Sequence, residues 1–183
     1  MENIRILQNQ KVIKSLMVII LGSLILTISA KIKIPFYPVP MTMQTFVVLL
    51  LGLSFGYKIA LATVGLYLLE GIFGLPVFSN SPEKGIGIAY FTGPTMGYLV
   101  GFLVASFFAG YLNFKTNIFL IFLKLIFSVS FIYILGVIWL GTLIGWDKPI
   151  IELGVTPFLL AELFKILLLT FLVQKILGLR KFI

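Results

Sequence analysis

The sequence holds 183 residues, 60% of them hydrophobic and only 11% charged, with a mean hydropathy of +1.16 and a net charge of +8. Soluble globular domains carry about 25% charge, so the chain reads as an integral membrane protein, all-α and of one domain over residues 1–183. It contains neither Cys nor His, which removes disulfides, thiolate chemistry and the commonest metal ligand, and argues against a redox or zinc enzyme.

About 20 apolar residues make a spanning helix, and six spans are read at 12–30, 43–55, 59–73, 93–112, 118–142 and 154–177. The opening stretch MENIRILQNQKVIKS is not followed by a small-residue cleavage pattern, so the first span is expected to stay in the mature protein. Spans two and three are short, which suits either a tight hairpin at 56–58 or burial inside protein. Before them lies KIKIPFYPVPMTMQ, where Pro35, Pro38 and Pro40 deny backbone donors and hold the chain extended. After them comes GLPVFSNSPEKGIGIAYFTGP, rich in turn residues yet carrying Phe78, Tyr90 and Phe91. A long loop of this kind in a compact protein is usually functional.

In the fourth span Gly93, Gly97, Gly101, Ala105 and Ala109 recur every four residues, a small-residue stripe that lets another backbone approach. The partner helix is expected within the chain or, alternatively, in a second subunit. Basic residues cluster at the ends of apolar runs and form no aromatic-interleaved stripe, so no nucleic-acid partner is expected. With six spans, one side collects Arg5, Lys11, Lys14, Lys58, Lys115, Lys124, Lys175, Arg180 and Lys181, and the other Lys31, Lys33, Lys84 and Lys148. That bias places both termini in the cytoplasm and the two long loops outside. Lys124 is expected to snorkel to the cytoplasmic interface.

The last span starts near Thr156, an expected N-cap, with Pro157 in the first helical position. Glu162 and Lys165 follow three residues apart, hence on one helix face, and roughly 8 to 12 Å below that start. Each charge in hydrocarbon costs roughly 2.5 to 3.5 kcal/mol even on lenient scales. They form either a salt bridge that steadies the bundle or a polar floor under an outward-facing pocket. Because buried ion pairs are a poor source of stability, the pocket reading is preferred. Gln44, Asn80, Tyr90, Thr92 and Tyr98 are available to converge there, although each also suits a cap, turn or interface role. Such a pocket fits a small apolar ring with polar edges. No G-x-x-x-x-G-K-S/T phosphate loop and no inverted repeat is visible, so uphill transport needs a partner.

The blocks IPFYPVPMTMQT (34–45), YLLEGIFGLPVF (67–78), GPTMGYLVGF (93–102) and VTPFLLAELFK (155–165) resemble, in order and spacing, the BioY family. These are the biotin-specific substrate-binding, or S, components of energy-coupling factor (ECF) transporters. The resemblance implies a six-helix S-component fold, biotin capture without chemistry, and an extracellular pocket closed by the first and third loops. It implies binding roles for Glu162, Lys165, Asn80 and Gln44, with Phe78, Tyr90 and Tyr98 as further candidates. Its partners would be a transmembrane coupling subunit and two ATPase subunits that use ATP, in a prokaryotic plasma membrane; no cofactor is implied.

Two departures from the family pattern stand out. The usual Gly-Asp of the last helix is Ala161-Glu162, one methylene longer. The first-helix docking stripe falls on SLMVIILGS, giving Ser15, Ile19 and Ser23 with Gly22 adjacent, so that Gly22→Leu is expected to impair uptake but not binding. The competing functions are an S component for thiamin or riboflavin, a small proton-coupled carrier using Glu162, and a membrane scaffold without a ligand.

Overall fold

The structure, a computed structural model, describes residues 2–34 and 37–182, and the side chains of 2–8 and of Ile34 are not described. Pro35 and the side chain of Arg5 lie outside the described residues. Helix α1 (Glu2–Lys31) is followed by a two-residue antiparallel pair, β1 (Lys33–Ile34) with β2 (Met41–Thr42), in which Lys33 faces Thr42. Then come α2 (Gln44–Ile72), the short α3 (Gly87–Phe91), α4 (Met96–Tyr111), α5 (Ile118–Ile144), the short α6 (Ile150–Gly154), a 3-10 turn at Thr156–Phe158 and α7 (Leu159–Leu177). A second 3-10 turn, Gly178–Phe182, follows α7.

Among the described residues, four segments are long and apolar enough to cross a membrane: Asn9–Lys31, Gln44–Ile72, Ile118–Ile144 and Ile150–Phe182; the apolar α4 is shorter. Helix α2 is two arms, because Gly56 breaks it with φ 79° and ψ 170°, a backbone conformation that glycine adopts without a Cβ penalty. The chain reverses there. In a straight helix Gln44 and Tyr67 would stand roughly 35 Å apart, yet Gln44 Nε2 donates to the Tyr67 hydroxyl at 2.7 Å. The arms 44–55 and 57–72 therefore lie side by side, and α2 is the most buried of the four long segments, at 56% against 28–33% for the others. Shortness and burial go together, since this hairpin has more of its surface covered by protein than the other long segments do.

The small-residue stripe of α4 is used inside the chain. A Cβ on Gly97 would collide with the Leu135 carbonyl of α5, one on Gly101 would stand 2.6 Å from Ile132 Cα, and Ala109 meets Gly52 of α2. Breaking α2 at Gly56 deprives the Gly52 and Leu53 carbonyls of their helical partners. Arg180 takes them over: Nε donates to Leu53 O at 2.8 Å, and Nη2 to Gly52 O at 3.4 Å and to Gly110 O at 3.2 Å. The guanidinium thus caps two helix ends, α4 and the first arm of α2, where a cation also complements the helix dipole. Lys14 stands over the Phe182 ring at 5.1 Å, so the two ends of the chain share one end of the bundle. Lys124 donates to Asn113 O at 2.6 Å, in the loop between α4 and α5.

Two expectations change. Thr156 makes no capping bond and instead donates to Ile151 O at 3.3 Å; the N-cap of α7 is Phe158, after a 3-10 turn that Pro157 opens. Gly22 and Ser23 of the expected docking stripe face inward. Gly22 is buried, a Cβ there would stand 2.5 Å from Thr63 Cγ2, and Ser23 donates to Glu70 Oε1 at 3.1 Å. Gly22→Leu would therefore break the packing of α1 on α2 and is no probe of docking. Ser15 and Ile19 are half-buried on the same helix.

Candidate ligand-binding site

At the end of the bundle away from the chain termini, one cavity opens between β2, both loops, α4, α5 and α7. Its walls include Val39, Pro40 and Met41 from the first loop, Phe78 and Ser79 from the second, Tyr98 and Phe102 from α4, Tyr133 from α5 and Phe158. Gln44, Thr45, Glu162 and Lys165 form its polar part.

The helical i,i+3 spacing brings Lys165 Nζ to 3.4 Å from Glu162 Oε2, with both side chains buried. Neither side chain is left to its partner alone. Thr45 and Tyr133 also donate to Oε2, at 3.0 and 3.1 Å. Lys165 donates further to Thr42 O at 2.7 Å and to Thr45 Oγ1 at 3.0 Å. An ammonium has three protons, and these three acceptors account for all of them. The pair is consequently a salt bridge and a cavity floor at once. Charge is neutralised locally, Oε2 is saturated, and Oε1 of Glu162 is buried with no partner.

Gln44 lines the cavity, but both ends of its amide are held: Nε2 by Tyr67, and Oε1 as acceptor from Thr42 Oγ1 at 3.2 Å. Tyr67 donates onward to Val77 O at 3.3 Å, which ties the proline-rich loop to the aromatic loop through α2. Phe78 stacks on Tyr90 with centroids 5.3 Å apart and meets Tyr67 edge-on at 5.5 Å. The Tyr90 hydroxyl accepts from the Asn80 backbone N–H at 3.1 Å, and burial pushes this phenol above its ordinary pKa. Tyr98 contributes its ring, because its hydroxyl donates to Gly154 O at 2.9 Å, and Gly136 makes room for the ring.

Six of the expected site residues thus surround the cavity: Glu162, Lys165, Gln44, Tyr98, Phe78 and Tyr90. Asn80 does not line it, and its Oδ1 accepts from Lys33 at 3.0 Å. Thr92 is exposed and bonded to its own helical turn. Thr42, Thr45, Ser79 and Tyr133 were not singled out by sequence reasoning. For Tyr133 a signal existed: a tyrosine in mid-span, far from the interface where such rings are ordinary, needs a buried partner for its hydroxyl.

The two loops are also strapped together. Lys31 donates to the carbonyls of Phe78 at 2.8 Å and Ser81 at 2.6 Å, and Lys33 to the Ser79 carbonyl at 2.8 Å. Two lysines at the start of the first loop therefore hold the turn that roofs the cavity.

Known proteins share this architecture. A crystal structure of the S-component for biotin from an ECF-type ABC transporter superposes with a TM-score of 0.75 at 27% identity, covering 91% of this chain and 92% of that one. A probable biotin transporter BioY of Pyrococcus horikoshii is 33% identical over 83% of this chain and 89% of its own length. The biotin transporter BioY of Thermotoga maritima is 37% identical over 78% and 83% respectively. The BioY family profile matches residues 3–181, nearly the whole of the sequence on which the cavity, its strapped roof and its charged floor are built, and the chain belongs to the BioY family.

Proposed function

We propose that this protein captures biotin from outside the cell and serves as the substrate-binding subunit of an ECF-type ABC transporter, without enzymatic activity of its own. The observation that carries the reading is the floor of the cavity, where a buried carboxylate keeps one oxygen free beneath an aromatic and aliphatic wall. Biotin offers matching chemistry: two ureido N–H donors for Glu162 Oε1, an apolar thiophane ring for the wall, and a carboxylate. Lys165 supplies the positive charge that pairs with the Glu162 carboxylate, and its hydrogen bonds fix Thr42 and Thr45. Phe78, Tyr90 and Tyr98 supply the wall, and Gln44 holds the first loop in place. Membership of the BioY family and the biotin-transporting relatives point the same way.

The 183-residue chain acts as one integral membrane domain with six crossings: α1, the two arms of α2, α4, α5 and α7. Its termini lie in the cytoplasm, since nine basic residues cluster toward their end and four toward the cavity end. The membrane is a prokaryotic plasma membrane. A transmembrane coupling subunit and two ATPases supply the work, with ATP consumed by the partners.

The test is retention of labelled biotin by membranes that contain the chain. Displacement by unlabelled biotin, with thiamin and riboflavin inert, is the expected result. Displacement by either of those vitamins, or no retention at all, would overturn it.

A further inference from the structure

Among the described residues, two buried side-chain polar atoms have no hydrogen-bond partner in the protein, Ser79 Oγ and Glu162 Oε1. Both residues line the same cavity and are 5% and 4% exposed. Burying a polar group unpaired opposes folding, and elsewhere the chain avoids it. Ser29, Thr63, Ser106, Ser128 and Thr170 each donate to a carbonyl three or four residues back on their own helix. Ser79 stands in a turn, and its hydroxyl makes no such bond.

Its position is nonetheless fixed. Its own carbonyl is held by Lys33, and those of Phe78 and Ser81 by Lys31. The neighbouring Ser81 hydroxyl donates back to Phe78 O at 2.8 Å. Asn80 is the reverse case: its amide oxygen and backbone N–H are both engaged, with Lys33 and Tyr90, and it lies off the cavity.

We infer that Ser79, and not Asn80, is the residue through which the loop after α2 hydrogen-bonds the ligand. Its hydroxyl and Glu162 Oε1 are, among the described residues, the two buried side-chain atoms left for a ligand to satisfy. A ligand that suits both carries an N–H donor for the carboxylate and a second polar atom for the hydroxyl. Asn80 is a positioning residue that holds the turn against Lys33. This inference rests on the biotin reading above.

The experiment is calorimetry with biotin on the full chain in detergent, for wild type, Ser79→Ala and Asn80→Ala, together with thermal midpoints measured without ligand. Ser79→Ala is expected to weaken binding about 10-fold, the effect of one buried hydrogen bond, and by more than Asn80→Ala does. Its unliganded midpoint should be equal to or above that of wild type, because an unpaired buried hydroxyl has been removed. Affinity within about two-fold of wild type, a larger loss in Asn80→Ala, or affinity lost together with a lowered midpoint would each overturn the assignment. If wild type itself fails to bind biotin, both readings fall; if it binds and Ser79→Ala binds equally, only this one does.

Discussion

Glu162 is the residue on which the site turns, because its two oxygens have opposite fates. Oε2 collects donors from Thr45, Tyr133 and Lys165, while Oε1 collects none. Truncating either charge leaves the other buried without its counter-charge, which is strongly destabilising. Glu162→Ala and Lys165→Ala are each predicted to weaken biotin binding at least ~10-fold, or about 1.4 kcal/mol, in calorimetry on folded protein. Normal binding by both variants would move the pocket elsewhere. Tyr133→Phe removes one donor of three and keeps the ring, so a milder loss of about 1 kcal/mol, several-fold in affinity, is expected in the same measurement. The two charges were legible from sequence because a carboxylate and an ammonium in an apolar span demand compensation. Thr45, Ser79 and Tyr133 were not, since a hydroxyl is an ordinary feature that becomes informative only when its partners, or their absence, are known.

At the level of elements, α4 and α5 approach as closely as glycine allows. Gly97→Leu would drive a side chain into the Leu135 carbonyl and Trp139 Cβ, and overpacking of this kind costs about 1 to 3 kcal/mol. A lowered thermal midpoint in detergent is predicted; an unchanged one would mean that the helices separate easily. The roof of the cavity is governed by different forces. Lys31 and Lys33 hold carbonyls of the 78–81 turn, and hydrogen bonds to charged donors are worth about 1.5 to 3 kcal/mol. In stopped-flow release experiments Lys31→Met, which keeps the aliphatic stem, should speed biotin dissociation by roughly tenfold, with a smaller effect on association. Equal dissociation rates would show that the turn holds its shape without the lysine. The hairpin in α2 was foreshadowed by two short apolar runs around Gly56. The strap was not, because Lys31 and Lys33 also read as ordinary interfacial lysines.

Across the whole molecule, the apolar segments and their order could be read directly, since hydropathy and length are local properties. Long-range closures could not. Arg180 reaches back 127 residues to Leu53 and 70 to Gly110, a contact that depends on α2 breaking where it does. Two positions of the expected docking face were hidden for a similar reason: Gly22 and Ser23 form a small-residue pattern on α1, and only the fold reveals that α2 packs against them. What emerges is a bundle with its termini and a capping arginine at one end and a strapped, charged cavity at the other. Such a body suits capture of a small ligand and leaves the energy of uptake to partners. The measurement that tests this most directly is a calorimetric titration of the purified chain with biotin in detergent. Saturable binding near one biotin per chain is predicted; a folded chain that takes up no biotin would contradict the account.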